Sequence, residues 1–108
     1  MMTLSISETE QNQMFIRFSG KLKTYEDFLE FREKMQPAIT ELAKKTDKTL
    51  FLFFVDVYPI NSYTIGYLLK LKENDSIDVK IATNDVKLLQ LFKTLELIDK
   101  FEVCIKSE

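Results

Sequence analysis

The segment Leu50-Phe51-Leu52-Phe53-Phe54-Val55 is apolar at every position. A strand with one wet face alternates apolar and polar side chains, whereas a short unbroken apolar run marks a strand covered on both faces. The run therefore predicts a central strand with structure packed on each side, and the succession of strand and helix patterns around it predicts an α/β architecture. With 108 residues, one core over 1–108 is expected and a second has no room.

The flanking segments supply the other layers. Leu4 and Ile6 alternate with polar residues, and Met14, Ile16 and Phe18 alternate with Phe15, Arg17 and Ser19. Two hairpin-paired strands are predicted there, closed by Gly20. Thr24 suits the N-cap of a helix opening Tyr25-Glu26-Asp27. Tyr25, Phe28, Leu29, Met35, Ile39, Leu42 and Ala43 then recur at helical spacing up to about Lys45. Arg32 falls inside that arc, where its stem can lie on the core while its head reaches water. Pro37 removes an interior hydrogen bond and is expected to kink or split the helix. The broad apolar arc of this helix, with Phe31 at its edge, leaves room for a weak homodimer.

Beyond the apolar run, Pro59 marks a turn, and Asn61 and Ser62 are both competent N-caps. Ile65, Leu68 and Leu69 predict a second helix ending near Lys72, with Asn74 as its left-handed closing residue. Val79 and Ile81 alternate in a further strand. Asn84-Asp85 precedes a third helix striped by Leu88, Leu89, Phe92 and Leu95, and Phe101, Val103 and Ile105 predict a final edge strand. The sum is a mixed sheet of about five strands packed with about three to four helices.

Composition narrows the chemistry. The chain has no His and one Cys, so Ser–His and Cys–His dyads are impossible and a zinc site is not expected. Two glycines supply no phosphate-cradling loop, and no cofactor is implied. A net charge of −2 offers nothing for a phosphate backbone, so nucleic acid is not an expected partner. The longest apolar run is far short of a membrane span of roughly 20 residues, and the first residues lack the pattern of a signal peptide. Cys104 has no intrachain partner and sits beside Val103 and Ile105 as a small hydrophobe. A cytoplasmic protein that is not an enzyme is expected.

One helix face stands out. Ser62, Gly66 and Lys70 recur every fourth residue with Tyr63 and Tyr67 beside them, while Ile65, Leu68 and Leu69 take the opposite side. Glycine inside a helix costs about 1 kcal/mol relative to alanine. Either a neighbouring helix of this chain or a partner protein approaches the backbone there, and tyrosines favour the second as interface hot spots. An enzymatic use of Ser62, Tyr67 and Lys70 is disfavoured: eight residues of helix rise about 12 Å, too far for proton transfer. Nothing fixes Asp56 and Asp85 at metal-binding distance.

From Met14 to Val103 the order of elements resembles the STAS domain, the fold of bacterial anti-sigma-factor antagonists. The strand ending at Gly20 is similar to the family's opening strand and glycine. The stretch VYPINSYTIGYLLKLKE, residues 57–73, resembles its strand, turn and helix carrying aspartate, serine, a small residue, glycine, leucine and glycine. On that match Ser62 takes the place of the phosphorylatable serine, Asn61 that of the aspartate, Thr64 that of the first glycine and Gly66 that of the second. Phe53 falls without a gap on an acidic or amide position, with Asp56 three residues beyond it. Val86 to Val103 resembles the third helix and the entry to the final strand, and Glu96 falls where the family often has glycine.

The resemblance implies a signalling module of transcription regulation whose partner is an anti-sigma factor or another serine-kinase-type regulator. Asn61, Ser62, Tyr63, Gly66, Tyr67 and Lys70 would form the partner-binding face, and phosphorylation of Ser62 would control binding. The alternative it implies is a STAS-like subunit that docks on a transporter ATPase or signalling scaffold without phosphorylation.

Overall fold

Leu50, Leu52 and Phe54, alternate residues of the apolar run, lie at the centre of the core. In the computed structural model, residues 2–108 are described. The strands are β1 (Thr3–Glu8), β2 (Met14–Ser19), β3 (Thr49–Val55), β4 (Asp78–Thr83) and β5 (Cys104–Ile105). The helices are α1 (Tyr25–Ala43), α2 (Ser62–Glu73), α3 (Val86–Thr94) and α4 (Ile98–Phe101). The five strands form one mixed sheet whose spatial order follows the chain, β1-β2-β3-β4-β5, with β1 antiparallel to β2 and the other pairs parallel. The fold is α/β, as the alternation of strand and helix patterns along the chain predicts. No helix among the described residues is long and apolar enough to cross a membrane.

Connectivity decides which face the helices cover. Each parallel crossover steps one strand in the same direction, and crossovers of a single hand then place every helix on the same face. One cluster accordingly joins Met14, Ile16 and Phe18 of β2, Leu50, Leu52 and Phe54 of β3, and Val79 and Ile81 of β4 to residues of all four helices, among them Phe31, Met35, Leu68, Leu88 and Phe101. The expectation of structure on both sides of β3 is thus corrected. Phe15, Phe51 and Phe53 point to the helix-free face by the period-two rule, where the Lys106 ammonium lies 5.0 Å from the Phe15 ring and 5.1 Å from the Phe53 ring.

Local signals account for most element boundaries. Thr24 Oγ1 accepts the Asp27 N–H at 3.0 Å, and Asp27 Oδ2 accepts the Thr24 N–H at 3.1 Å, a reciprocal capping box that starts α1. Gly20 takes φ +147°, and a Cβ there would stand 2.9 Å from the Met2 backbone, so both conformation and space call for glycine. Pro37 does not split α1. Pro37 and Glu33 are both exposed, one turn apart on the solvent side, so water can reach the carbonyl that loses its donor.

Four further expectations change. Phe31 is fully buried, edge-on to Phe18 with ring centroids 4.9 Å apart, so it offers nothing to self-association. Asn74 ends α2 in right-handed geometry, and Ser76 takes the positive φ of 57° instead. Leu95 caps α3 and is exposed. Phe101 closes α4 rather than opening a strand, so β5 has only two residues.

Candidate functional site

The starts of α1 and α2 are joined through the loops that precede them. Leu22 and Ile60 form an isolated parallel bridge, and the Asn61 N–H donates to the Leu22 carbonyl at 2.8 Å. Asn61 Nδ2 donates to the Thr24 carbonyl at 2.8 Å. On its other side, Asn61 Oδ1 accepts the Thr64 N–H and the Thr64 hydroxyl, each at 2.9 Å. Asn61 is therefore the N-cap, and Ser62 is the first residue of the helix with its side chain exposed. Thr64 is buried beneath it.

Four of the six predicted residues share the exposed side of α2. Ser62, Tyr63, Gly66 and Lys70 are exposed, while Leu68 and Leu71 are buried and Ile65 and Leu69 are partly buried against the core. A Cβ on Gly66 would meet nothing within 4 Å. This removes one of the two explanations for that glycine, because no neighbouring helix of this chain comes close to its backbone. Lys70 pairs with Asp75 at 3.3 Å. Asn61 differs from the rest of the face, since its amide is committed to hydrogen bonds within the fold.

The two tyrosines divide. Tyr63 is 54% exposed and lies against Tyr25 (centroids 4.9 Å) and Phe28 (6.0 Å). Tyr67 is half-buried, edge-on to Phe28 at 5.9 Å and Phe31 at 6.1 Å, and burial pushes its phenol up to about 12. Arg32 sits 5.4 Å over the Phe28 ring, a cation–π contact that places its head at the solvent edge. An aromatic seam thus joins α1 to α2, with Tyr25 and Tyr63 as its exposed rim. Tyr25 on the exposed rim and the buried Phe28 beneath it belong to this seam although the pattern in α2 alone does not reveal them. Their three-residue spacing at the start of α1 is the only sequence trace.

At the carboxyl ends of β3 and β4, Asp56 and Asn84 exchange two hydrogen bonds. The Asp56 N–H donates to Asn84 Oδ1 at 2.8 Å, and Asn84 Nδ2 donates to Asp56 Oδ1 at 2.9 Å. Asp56 takes φ 55° to do so. Asp85 turns to the α3 N-terminus, accepting the Lys87 N–H at 2.7 Å. The two aspartates therefore serve different structural ends, and no group of three or more potential metal ligands occurs among the described residues. The cluster of Ser62, Tyr67 and Lys70 does not converge: Ser62 is exposed, Tyr67 turns inward, and Lys70 reaches the far end of the helix.

The site offers a hydroxyl at a helix N-terminus, an open backbone patch one turn on and an aromatic rim, all facing outward. Comparison with protein-family models and with curated proteins returned no match for this chain.

Proposed function

We propose that this chain is a regulatory protein–protein interaction module of the anti-sigma-factor-antagonist type, a STAS-like protein acting in the cytoplasm. Its partner would be an anti-sigma factor or another serine-kinase-type regulator, bound on the outward face of α2 by Ser62, Tyr63, Gly66 and Lys70 with the aromatic rim beside them. The observation that carries this reading is the open space at Gly66 next to the exposed Ser62. An exposed glycine in mid-helix weakens the helix, and among the described residues none comes within 4 Å of where its Cβ would be.

Ser62 would be the phospho-acceptor. A phosphoryl group adds about −1.5 to −2 charges at neutral pH. At a helix N-terminus the backbone N–H groups favour such charge, so the fold survives. A partner packed against Gly66 would meet a solvated dianion and be displaced. The test is binding of the serine-kinase partner to Ser62→Ala and Ser62→Asp, with intact mass measured after incubation with that kinase and ATP. The reading requires one phosphate on wild type, none on Ser62→Ala, and lost binding for Ser62→Asp. An unmodified wild-type mass refutes the switch.

One observation favours docking without phosphorylation, on a transporter ATPase or a signalling scaffold. The residue immediately before Ser62 is the neutral Asn61 rather than an aspartate, and its amide is committed to Thr64 and Thr24, so it offers a kinase no charge. Under that reading Ser62→Asp retains most of its partner binding.

A further inference from the structure

We infer that the helix-free face of the sheet binds a small amphipathic carboxylate, with its apolar body on Phe15, Phe51 and Phe53 and its anionic head at Lys106. This site lies apart from Ser62 and does not depend on the regulatory reading.

The registers of β2, β3 and β4 align two rows across this face, Phe15 with Phe51 and Lys80, and Arg17 with Phe53 and Ala82. Between them lies a cavity of about 350 Å³ with largely apolar walls, completed by Glu102, Cys104 and Lys106. Small-molecule sites run from roughly 300 to 1,000 Å³ and combine an apolar lining with a few fixed polar groups. Phe15 and Phe51 are only half-buried, so their rings remain accessible.

The charges at the rim select the ligand's sign. Arg17 is paired with Glu108, and Lys80 lies 3.2 Å from Glu102, so both already have carboxylates. Lys106 forms no ion pair among the described residues, and its ammonium instead sits over the Phe15 and Phe53 rings. Its backbone N–H is held by the Thr83 carbonyl at 2.9 Å, which keeps the side chain at the cavity mouth. A ligand with an apolar chain and one carboxylate would cover the rings and exchange a cation–π contact for a charge-assisted hydrogen bond. A neutral apolar ligand would leave the ammonium where it is.

Cys104 lines the same cavity and its thiol is free and exposed, so its alkylation rate reports occupancy. The experiment follows iodoacetamide modification of the full chain with octanoate or octan-1-ol present, with calorimetric titration of octanoate as an independent readout. Octanoate is expected to slow alkylation saturably, and octan-1-ol to do so far less at equal concentration. Lys106→Gln, which also removes the two cation–π contacts, should lower the melting temperature only slightly and weaken octanoate binding about tenfold. Equal protection by octan-1-ol, undiminished binding by Lys106→Gln, or no effect of octanoate on rate or heat would each overturn the assignment. Protection that rises with protein concentration without ligand would overturn it too, by showing that a second copy covers this face.

Discussion

Asn61 Oδ1 accepts two hydrogen bonds from a single residue, the backbone N–H and the hydroxyl of Thr64, each at 2.9 Å. The amide nitrogen of the same side chain reaches the Thr24 carbonyl. Under the proposed STAS-like reading, these two positions stand where that family has an aspartate and its first glycine, and the two departures fit each other. Thr64 supplies a donor that glycine lacks, and Asn61 supplies a donor that aspartate lacks. Together they fasten the start of α2 to the start of α1, and so orient the face that carries Ser62.

Replacing Asn61 by Asp should therefore destabilise the fold despite keeping the cap acceptor. The substitution puts a carboxylate oxygen against the Thr24 carbonyl and removes one hydrogen bond, costing about 1–2 kcal/mol. Urea unfolding of Asn61→Asp and wild type measures the difference.

Gly66→Ala should act in the opposite direction on stability. The added Cβ meets nothing within 4 Å, and alanine is favoured over glycine in a helix by about 1 kcal/mol. The unfolding midpoint should rise. A fall would show that Gly66 has a structural role within the chain.

Glu96 occupies a left-handed position, φ 59°, just after α3. A side chain there costs roughly 1–2 kcal/mol, and glycine's greater unfolded-state freedom offsets about 0.5–1 kcal/mol of any relief. Glu96→Gly should thus stabilise by about 0.5–1 kcal/mol, read as a higher midpoint in chemical unfolding.

Acid should weaken the fold through two carboxylates. The N–H groups of Thr24 and then Lys23 hold Asp27 below the usual carboxylate range, and the Thr49 hydroxyl and then the Gln13 amide do the same for Asp47. A depressed folded value gives stability that is fully present above the unfolded value, about 3.9, and is lost as pH falls through the folded one. Unfolding midpoints should hold from neutral pH to about 5 with respect to these groups and drop below about 4. Asp27→Asn should start less stable and show a shallower drop.

Legibility of the sequence followed the range of the interactions. Met14, Ile16 and Phe18 announced a strand, and Thr24 a helix start, because both depend on neighbours within a few residues. The outward face of α2 was readable for the same reason, through its four-residue period. Coverage of β3 was not, because an apolar run shows that two faces avoid water without showing what covers each. That depends on the crossovers, which put all the helices on one side. Phe101, Val103 and Ile105 imitate a strand by alternation, yet Phe101 packs on Phe92 at 6.1 Å and Glu102, at φ 48°, turns the chain before β5. The Asp56–Asn84 pair links residues 28 apart in sequence, and no local pattern signals it.

The central claim is that the face bearing Ser62 and Gly66 holds a regulatory partner. Its most direct test is quantitative capture from the source cell's lysate with wild type and Gly66→Arg as parallel baits, with Ser62 checked for phosphate. The open space at Gly66 lets the arginine be accommodated without unfolding, verified by an unchanged circular dichroism spectrum. The account predicts that wild type recovers a serine-kinase-type regulator, that Gly66→Arg loses it, and that Ser62 carries phosphate in a fraction of the cellular protein. Recovery of the same regulator in equal amount by both baits, with Ser62 unmodified, would contradict it.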